Sequence, residues 1–188
     1  MARSKEFDPD AAIDKALALF RQQGYEATSI DDLVKHLGIG RGSLYATFGS
    51  KHALYLAALD RYIEQMGGGQ LPQTLGARDA IAALLQQQME EALATARLGG
   101  CPLVNSIAER LPQDRAVAVR VQANLGQAEE LFFALLRNDA TLGLSEAESR
   151  QTAQMLVNTV VGLRLTAKAH PDRERLLHIV TATLKVLG

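Results

Sequence analysis

A single cysteine, Cys101, excludes an intramolecular disulfide and leaves no cysteine-rich metal site to build. Tryptophan is absent, and aromatic residues make up only 5% of the 188 residues. Any pocket is therefore expected to be lined by aliphatic side chains and methionine. No run of about 18 apolar residues is present to span a bilayer. The stretch Met1-Ala2-Arg3-Ser4-Lys5-Glu6-Phe7-Asp8-Pro9 lacks the apolar core of a signal peptide, so a cytoplasmic location is expected. His36, His52, His170 and His178 fall at no ligand spacing with acids or with Cys101, and no metal is expected. No nucleophile–base set stands out. Gly67-Gly68-Gly69 is not followed by the Lys-Ser/Thr of a phosphate cradle. Neither an enzymatic activity nor a cofactor is expected.

An excess of charge is missing too. The formal net charge is −1, which excludes a generally basic nucleic-acid binder. The first 51 residues are equally balanced. Arg3, Lys5, Lys15, Arg21, Lys35, Arg41 and Lys51 are offset by Glu6, Asp8, Asp10, Asp14, Glu26, Asp31 and Asp32. A specific reader remains possible if acids near helix starts act as caps while a few cations face phosphate.

What is present is helical periodicity. Hydrophobic residues make up 47% and charged residues 22%, the balance of a globular chain. Asp8-Pro9 is a helix start, and Ile13, Leu17 and Phe20 form one apolar stripe that Gly24 ends. Thr28 or Ser29 caps a second helix, with Asp31 or Asp32 three residues on; Ile30, Leu33, Val34 and Leu37 are its inner face, and Gly38 breaks it. A third helix runs from Arg41 to Phe48, and Ser50 caps a fourth that reaches about Met66. Gly67 to Pro72 reads as a linker.

Beyond it, helices are expected over 79–97, 102–111, from Pro112 past Leu135, over 145–168 and over 171–187. Ser145 and Glu148 make a capping box. Glu90-Glu91 reads as a solvated helix edge. No period-two strand is seen. The expected fold is all-α, with about nine helices: a three- or four-helix N-terminal unit and a larger C-terminal bundle.

The decisive stretch is residues 28 to 51. Two short helices joined by a glycine turn have the form of a helix-turn-helix, whose second helix enters a DNA groove. Leu44 and Phe48, four apart, would pack inward with Leu33, Leu37 and Phe20. That turns Arg41, Gly42, Ser43, Tyr45 and Thr47 outward. Gly40 and Gly42 permit close backbone approach. Arg41 suits a phosphate or a guanine edge, Ser43 and Thr47 suit phosphates or bases, and the Tyr45 hydroxyl suits phosphate. Lys51 falls just past the helix on the backbone side, and Thr28 is placed to clamp a phosphate from the start of the second helix.

Residues 10 to 58 resemble the DNA-binding region of the TetR family of one-component transcriptional regulators. The resemblance is carried by Ala11-Ala12 to Leu19-Phe20, Gly24-Tyr25-Glu26-Ala27-Thr28-Ser29-Ile30, Ile39-Gly40-Arg41-Gly42-Ser43-Leu44-Tyr45, and Phe48-Gly49-Ser50-Lys51 with Leu54. Many members carry two bulky residues where this chain has Ala46 and Thr47, so its base-reading pattern differs.

The resemblance implies a DNA-binding domain over 1–51 and a ligand-binding and dimerisation domain over 52–188. It also implies a homodimer on palindromic operator DNA, with a small-molecule effector that releases it. In such proteins the last two long helices pair with their two-fold mates; here that places Leu156, Val160, Leu163, Ile179, Val180 and Thr183 at the interface. Leu85, Met89, Asn105 and Phe132 are expected around the effector. Gly100-Cys101-Pro102-Leu103-Val104-Asn105 is similar to a stretch of one TetR subgroup in which a cysteine senses electrophiles or oxidants, so Cys101 is either a sensor or a packing thiol. The alternative is an all-α scaffold that keeps the helix-turn-helix shape without reading DNA.

Overall fold

The computed structural model describes residues 7–66, 75–111 and 113–187. Among them are nine α-helices, two short 3-10 turns and no strand. The helices are α1 (Pro9–Gln23), α2 (Ile30–Leu37), α3 (Arg41–Phe48), α4 (Lys51–Met66), α5 (Ala77–Ala96), α6 (Pro102–Arg110), α7 (Arg115–Asn138), α8 (Glu146–Ala169) and α9 (Arg173–Leu184). The all-α expectation is met. The expected linker at Gly67–Pro72 and the expected helix start at Pro112 lie outside the described residues. No described helix is long and apolar enough to cross a membrane.

Local chemistry sets the helix ends. Asp8 caps α1 by accepting from the Asp10 N–H. Of the two candidate caps for α2, Ser29 is used. Its hydroxyl accepts from the Asp32 N–H, and the Asp32 carboxylate accepts from the Ser29 N–H, closing a capping box. Gly38 ends α2 in the left-handed region at φ 70°. Ser50 caps α4 through the Ala53 N–H. Ser145 and Glu148 close the second capping box, at α8. Asp172 rather than Pro171 starts α9, accepting from the Glu174 and Arg175 N–H groups. At α7 the carboxylate of Asp114 accepts from the Val117 N–H, a cap that the neighbouring proline obscured in the sequence.

The chain divides into two compact units. The first holds residues 1–68 together with 105–120, and the second holds 69–104 and 121–188. In the first, α1 packs on α4 and α2, and α3 closes against α2 and α4. Ala16, Phe20, Leu33, Leu37, Leu44, Leu54 and Leu59 form its core. Phe20, Tyr25 and Tyr55 cluster in it, Phe20 and Tyr55 edge to face with ring centroids 5.0 Å apart and Tyr25 tilted against Tyr55 at 4.7 Å.

In the second unit α5 lies against α8 and α9. Ile81, Leu85, Met89, Phe132, Leu136, Leu156, Leu163, Leu176 and Val180 fill its centre. One buried charge interrupts that apolar interior. The Arg164 side chain is 4% exposed and reaches Glu91 at 3.1 Å and the Gln88 side-chain oxygen. Glu91, expected at a solvated edge, is 40% exposed and pairs with this buried guanidinium, while Glu90 meets the exposed Arg173.

Candidate nucleic-acid interface

The outward face of α3 is built by a simple division of labour. Leu44 is fully buried and anchors the helix. Phe48, expected beside it, is only partly buried, with its ring 6.3 Å from that of Phe7. The remaining side chains turn out. Arg41, Ala46 and Thr47 are exposed, Ser43 is half-buried, and Tyr45 shows 43% of its surface to solvent.

The four glycines here serve different ends. Gly38 and Gly49 hold left-handed φ angles of 70° and 76° that side chains rarely adopt, so the turns require them. Gly40 and Gly42 do not. Gly40 sits at φ −72°, where an added Cβ would meet only Ser43 Oγ at 3.9 Å. A Cβ on Gly42 would meet nothing within 4 Å. The fold leaves both positions open, so their lack of a side chain keeps the α3 backbone accessible from outside.

Arg41, at the start of α3, pairs with Asp31 of α2 at 2.5 Å; both side chains are exposed. That bond and the attached charge hold the guanidinium in its protonated form. Lys51 is half-buried and stands over the Tyr25 ring, 4.2 Å from its centroid. Burial pulls its ammonium below the ordinary lysine pKa. Thr28 is fully buried, and its hydroxyl donates to the Gly24 carbonyl at 2.6 Å. Its side chain holds the α1–α2 turn and offers nothing to solvent.

The turn between α1 and α2 meets a charged cluster that the sequence did not announce. The Arg110 guanidinium lies over the Tyr25 ring, 4.4 Å from its centroid, and pairs with Glu26 and with Asp114. Asp114 also meets His52 Nε2 at 2.8 Å. Glu109 accepts from the Tyr25 N–H at 2.9 Å. Burial works to raise the Asp114 pKa, but hydrogen bonds from Arg110, the Val117 N–H and His52 prevail and hold it at about 2. Burial likewise lifts the Tyr25 and Tyr55 hydroxyls above the ordinary tyrosine value. These partners are 84 residues apart for Tyr25 and Glu109, so only the fold reveals them. The one local signal was Asp114 standing three residues before Val117.

The chain matches the model of the family "Bacterial regulatory proteins, tetR family" over residues 12–58. It is 32% identical to an uncharacterised HTH-type transcriptional regulator, YezE of Bacillus subtilis, over the whole of both chains. The chain belongs to the TetR family of bacterial regulatory proteins. It is also 29% identical to the HTH-type transcriptional repressor ComR of Escherichia coli, over 98% of this chain and 90% of that one. Among solved structures, a cysteine-substituted TetR family regulator, CifR, complexed with a 26-base-pair operator DNA, superposes with a TM-score of 0.82 at 29% identity over 98% of both chains. The chain is accordingly a transcriptional regulator with a helix-turn-helix DNA-binding head.

The other residues singled out in the sequence lie elsewhere. Leu85, Met89 and Phe132 are buried in the core of the second unit, and Cys101 is 4% exposed just ahead of α6. Asn105, half-buried on α6, falls in the first unit. On α8 and α9, Leu156, Leu163 and Val180 are consumed by the chain's own core. Val160, Ile179 and Thr183 are half-buried. Ile179 borders a shallow groove lined also by Arg175, His178 and Ala182.

Proposed function

We propose that this regulator is a dimeric repressor that reads a palindromic operator through two copies of α3 and is released by a reversibly bound small molecule. The observation that carries the DNA-reading part is the exposed face of α3, with Arg41, Tyr45 and Thr47 outward and Gly40 and Gly42 open where the fold does not need glycine. Arg41, Ser43 and Thr47 are assigned to base edges and phosphates. Tyr45 and Lys51 are assigned to phosphates, Lys51 after leaving the Tyr25 ring. Thr28 is assigned to the turn, with no phosphate contact from its side chain.

Dimerisation is assigned to the surfaces of α8 and α9 that the core leaves over: Val160, Ile179 and Thr183, extended by Leu165, which is 51% exposed. The effector is assigned to the second unit, beside the apolar centre that Leu85, Met89 and Phe132 fill, so its entry would require these side chains to give way. The burial of Cys101 favours a packing role over a sensing one. The signal would pass along the chain itself, because α6 and α7 each begin in one unit and end in the other. An effector that binds one conformation of these helices better depopulates the other.

The test is a titration of the chain into DNA from upstream of its own gene, by fluorescence anisotropy at low salt. Saturable binding that Arg41→Ala weakens at least tenfold is expected. No binding, or binding indifferent to Arg41→Ala, would leave the scaffold reading in its place.

A further inference from the structure

We propose that Asp31 sets the operator specificity of this protein, by holding Arg41 for base contact and by repelling DNA that does not fit. The inference rests on the DNA-reading assignment of α3 and names a residue outside the expected contact set.

The reasoning begins with where the acids of the first unit go. Asp8 caps α1, and Asp32 is closed into the α2 capping box. Asp10 and Asp14 meet Arg61 across α1 and α4. Glu26 meets Arg110, Asp60 meets Arg120, and Asp114 is shared by Arg110 and His52. Each of these carboxylates serves a cap or a bond between elements. Asp31 also stands in the first turn of α2 and joins that helix to α3, but it differs in its exposure and in the partner it takes. Its side chain is 81% exposed, and the partner it takes is Arg41, the cation at the start of the outward-facing helix.

An exposed pair of this kind contributes little to stability, so stability is a poor reason for it. Its effect on binding is larger. Asp31 takes one terminal nitrogen of the guanidinium and leaves the other nitrogens free. A guanidinium fixed in this way keeps two donors for the paired acceptors of a guanine edge, while its swing toward the nearest phosphate is restrained. The carboxylate also stands at the rim of the surface that meets DNA. A base contact by Arg41 offsets that repulsion; a purely phosphate-bound, non-specific encounter does not. Asp31 therefore lowers non-specific affinity more than specific affinity.

The experiment uses the full chain and a randomised duplex pool. Wild type selects a duplex from the pool, and a shuffled duplex of the same composition is the non-specific probe. Both are titrated against wild type, Asp31→Asn and Asp31→Glu over a range of salt. Asp31→Asn is expected to bind the shuffled duplex about fivefold more tightly, with the log–log salt slope steeper by about 0.9, as one more cation turns to phosphate. Its preference for the selected duplex falls by a similar factor, and Asp31→Glu restores wild-type preference.

An unchanged preference and slope in Asp31→Asn would overturn the inference while the wild-type selection still supported DNA reading. An equal loss of affinity for both duplexes would make Asp31 structural and overturn it as well. If wild type enriches no duplex at all, the DNA-reading assignment itself falls, and the inference with it.

Discussion

Replacing Asp114 with asparagine should loosen the first unit, and by an amount that depends on pH. The Asp114 carboxylate is 5% exposed and accepts from Arg110 at 3.0 Å, His52 at 2.8 Å and the Val117 N–H at 3.2 Å. Asparagine keeps one acceptor oxygen and turns a donor toward two donors. The Arg110 side chain, only 16% exposed, then loses one of its two carboxylates, while its Nε already has no described hydrogen-bond partner. The drop of the Asp114 pKa from 3.8 to about 2 is equivalent to roughly 2.5 kcal/mol before screening. His52 leaves one side of the cluster 38% open to solvent. Allowing for that solvent, the loss at pH 7 should be about 1.5 kcal/mol.

The sign follows from the lowered pKa. The native state holds Asp114 ionised more strongly than the unfolded chain does, so its contribution is complete above about pH 4 and is lost as pH falls toward 2. Urea unfolding of wild type and Asp114→Asn, followed by helical circular dichroism at several pH values from 7 to 3, gives the difference directly. That difference should be flat from pH 7 to 5 and narrow below 4. A gap under about 0.5 kcal/mol at pH 7, or one that is the same at pH 3, would refute the reasoning about this cluster.

Gly42→Ala should raise the stability of α3 by about 0.5 kcal/mol, because the site is helical with open space around it, yet weaken DNA binding if the backbone approaches a groove there; thermal melting and anisotropy together decide. Gly24→Ala should cost at least about 2 kcal/mol, since φ is 83° and ψ 171° and the new Cβ would fall on the Glu109 carboxylate; urea midpoints measure it. Glu91→Leu should cost about 1 kcal/mol more than Arg164→Met, because the first takes the carboxylate from a guanidinium that is 4% exposed and keeps the Gln88 oxygen, while the second leaves a carboxylate that is 40% exposed and rehydrates; urea midpoints compare them. Cys101→Ser should leave DNA affinity unchanged, and should still release DNA on treatment with an electrophile if thiol sensing plays no part; loss of that release would make the thiol a sensor.

The helices were legible because their signals are local. Asp8-Pro9, Ser29 with Asp32, Gly38, Ser50, and Ser145 with Glu148 each act within four residues, and each formed the end it announced. Leu44 was legible as the inward side of α3 for the same reason. The cluster around Tyr25 was not. Glu109, Arg110 and Asp114 lie more than 80 residues from that turn, and a pattern of period 3.6 carries no information about which distant segment folds back. Thr28 shows the limit from the other side. A threonine at a helix start reads equally well as a phosphate clamp or as a turn residue, and only its burial decides for the turn.

Charge balance was the strongest sequence argument against DNA reading, and the structure changes its weight. A count treats every carboxylate as part of one field, but exposed charges act mainly over a distance of about 10 Å. Asp10, Asp14, Glu26 and Asp60 are each matched by an arginine on a neighbouring helix, away from α3 in the chain. Asp8 and Asp32 are matched by helix N-termini, where a negative charge is partly cancelled. Asp31 shares the first turn of α2 with Asp32, but it also offsets Arg41 at the start of α3. The effective charge there is therefore set by a single adjustable pair rather than by the sum over the head. A head arranged in this way would depend on a few placed contacts for its affinity. Its salt dependence should accordingly be shallow, the opposite of what a basic stripe along the same helix would give.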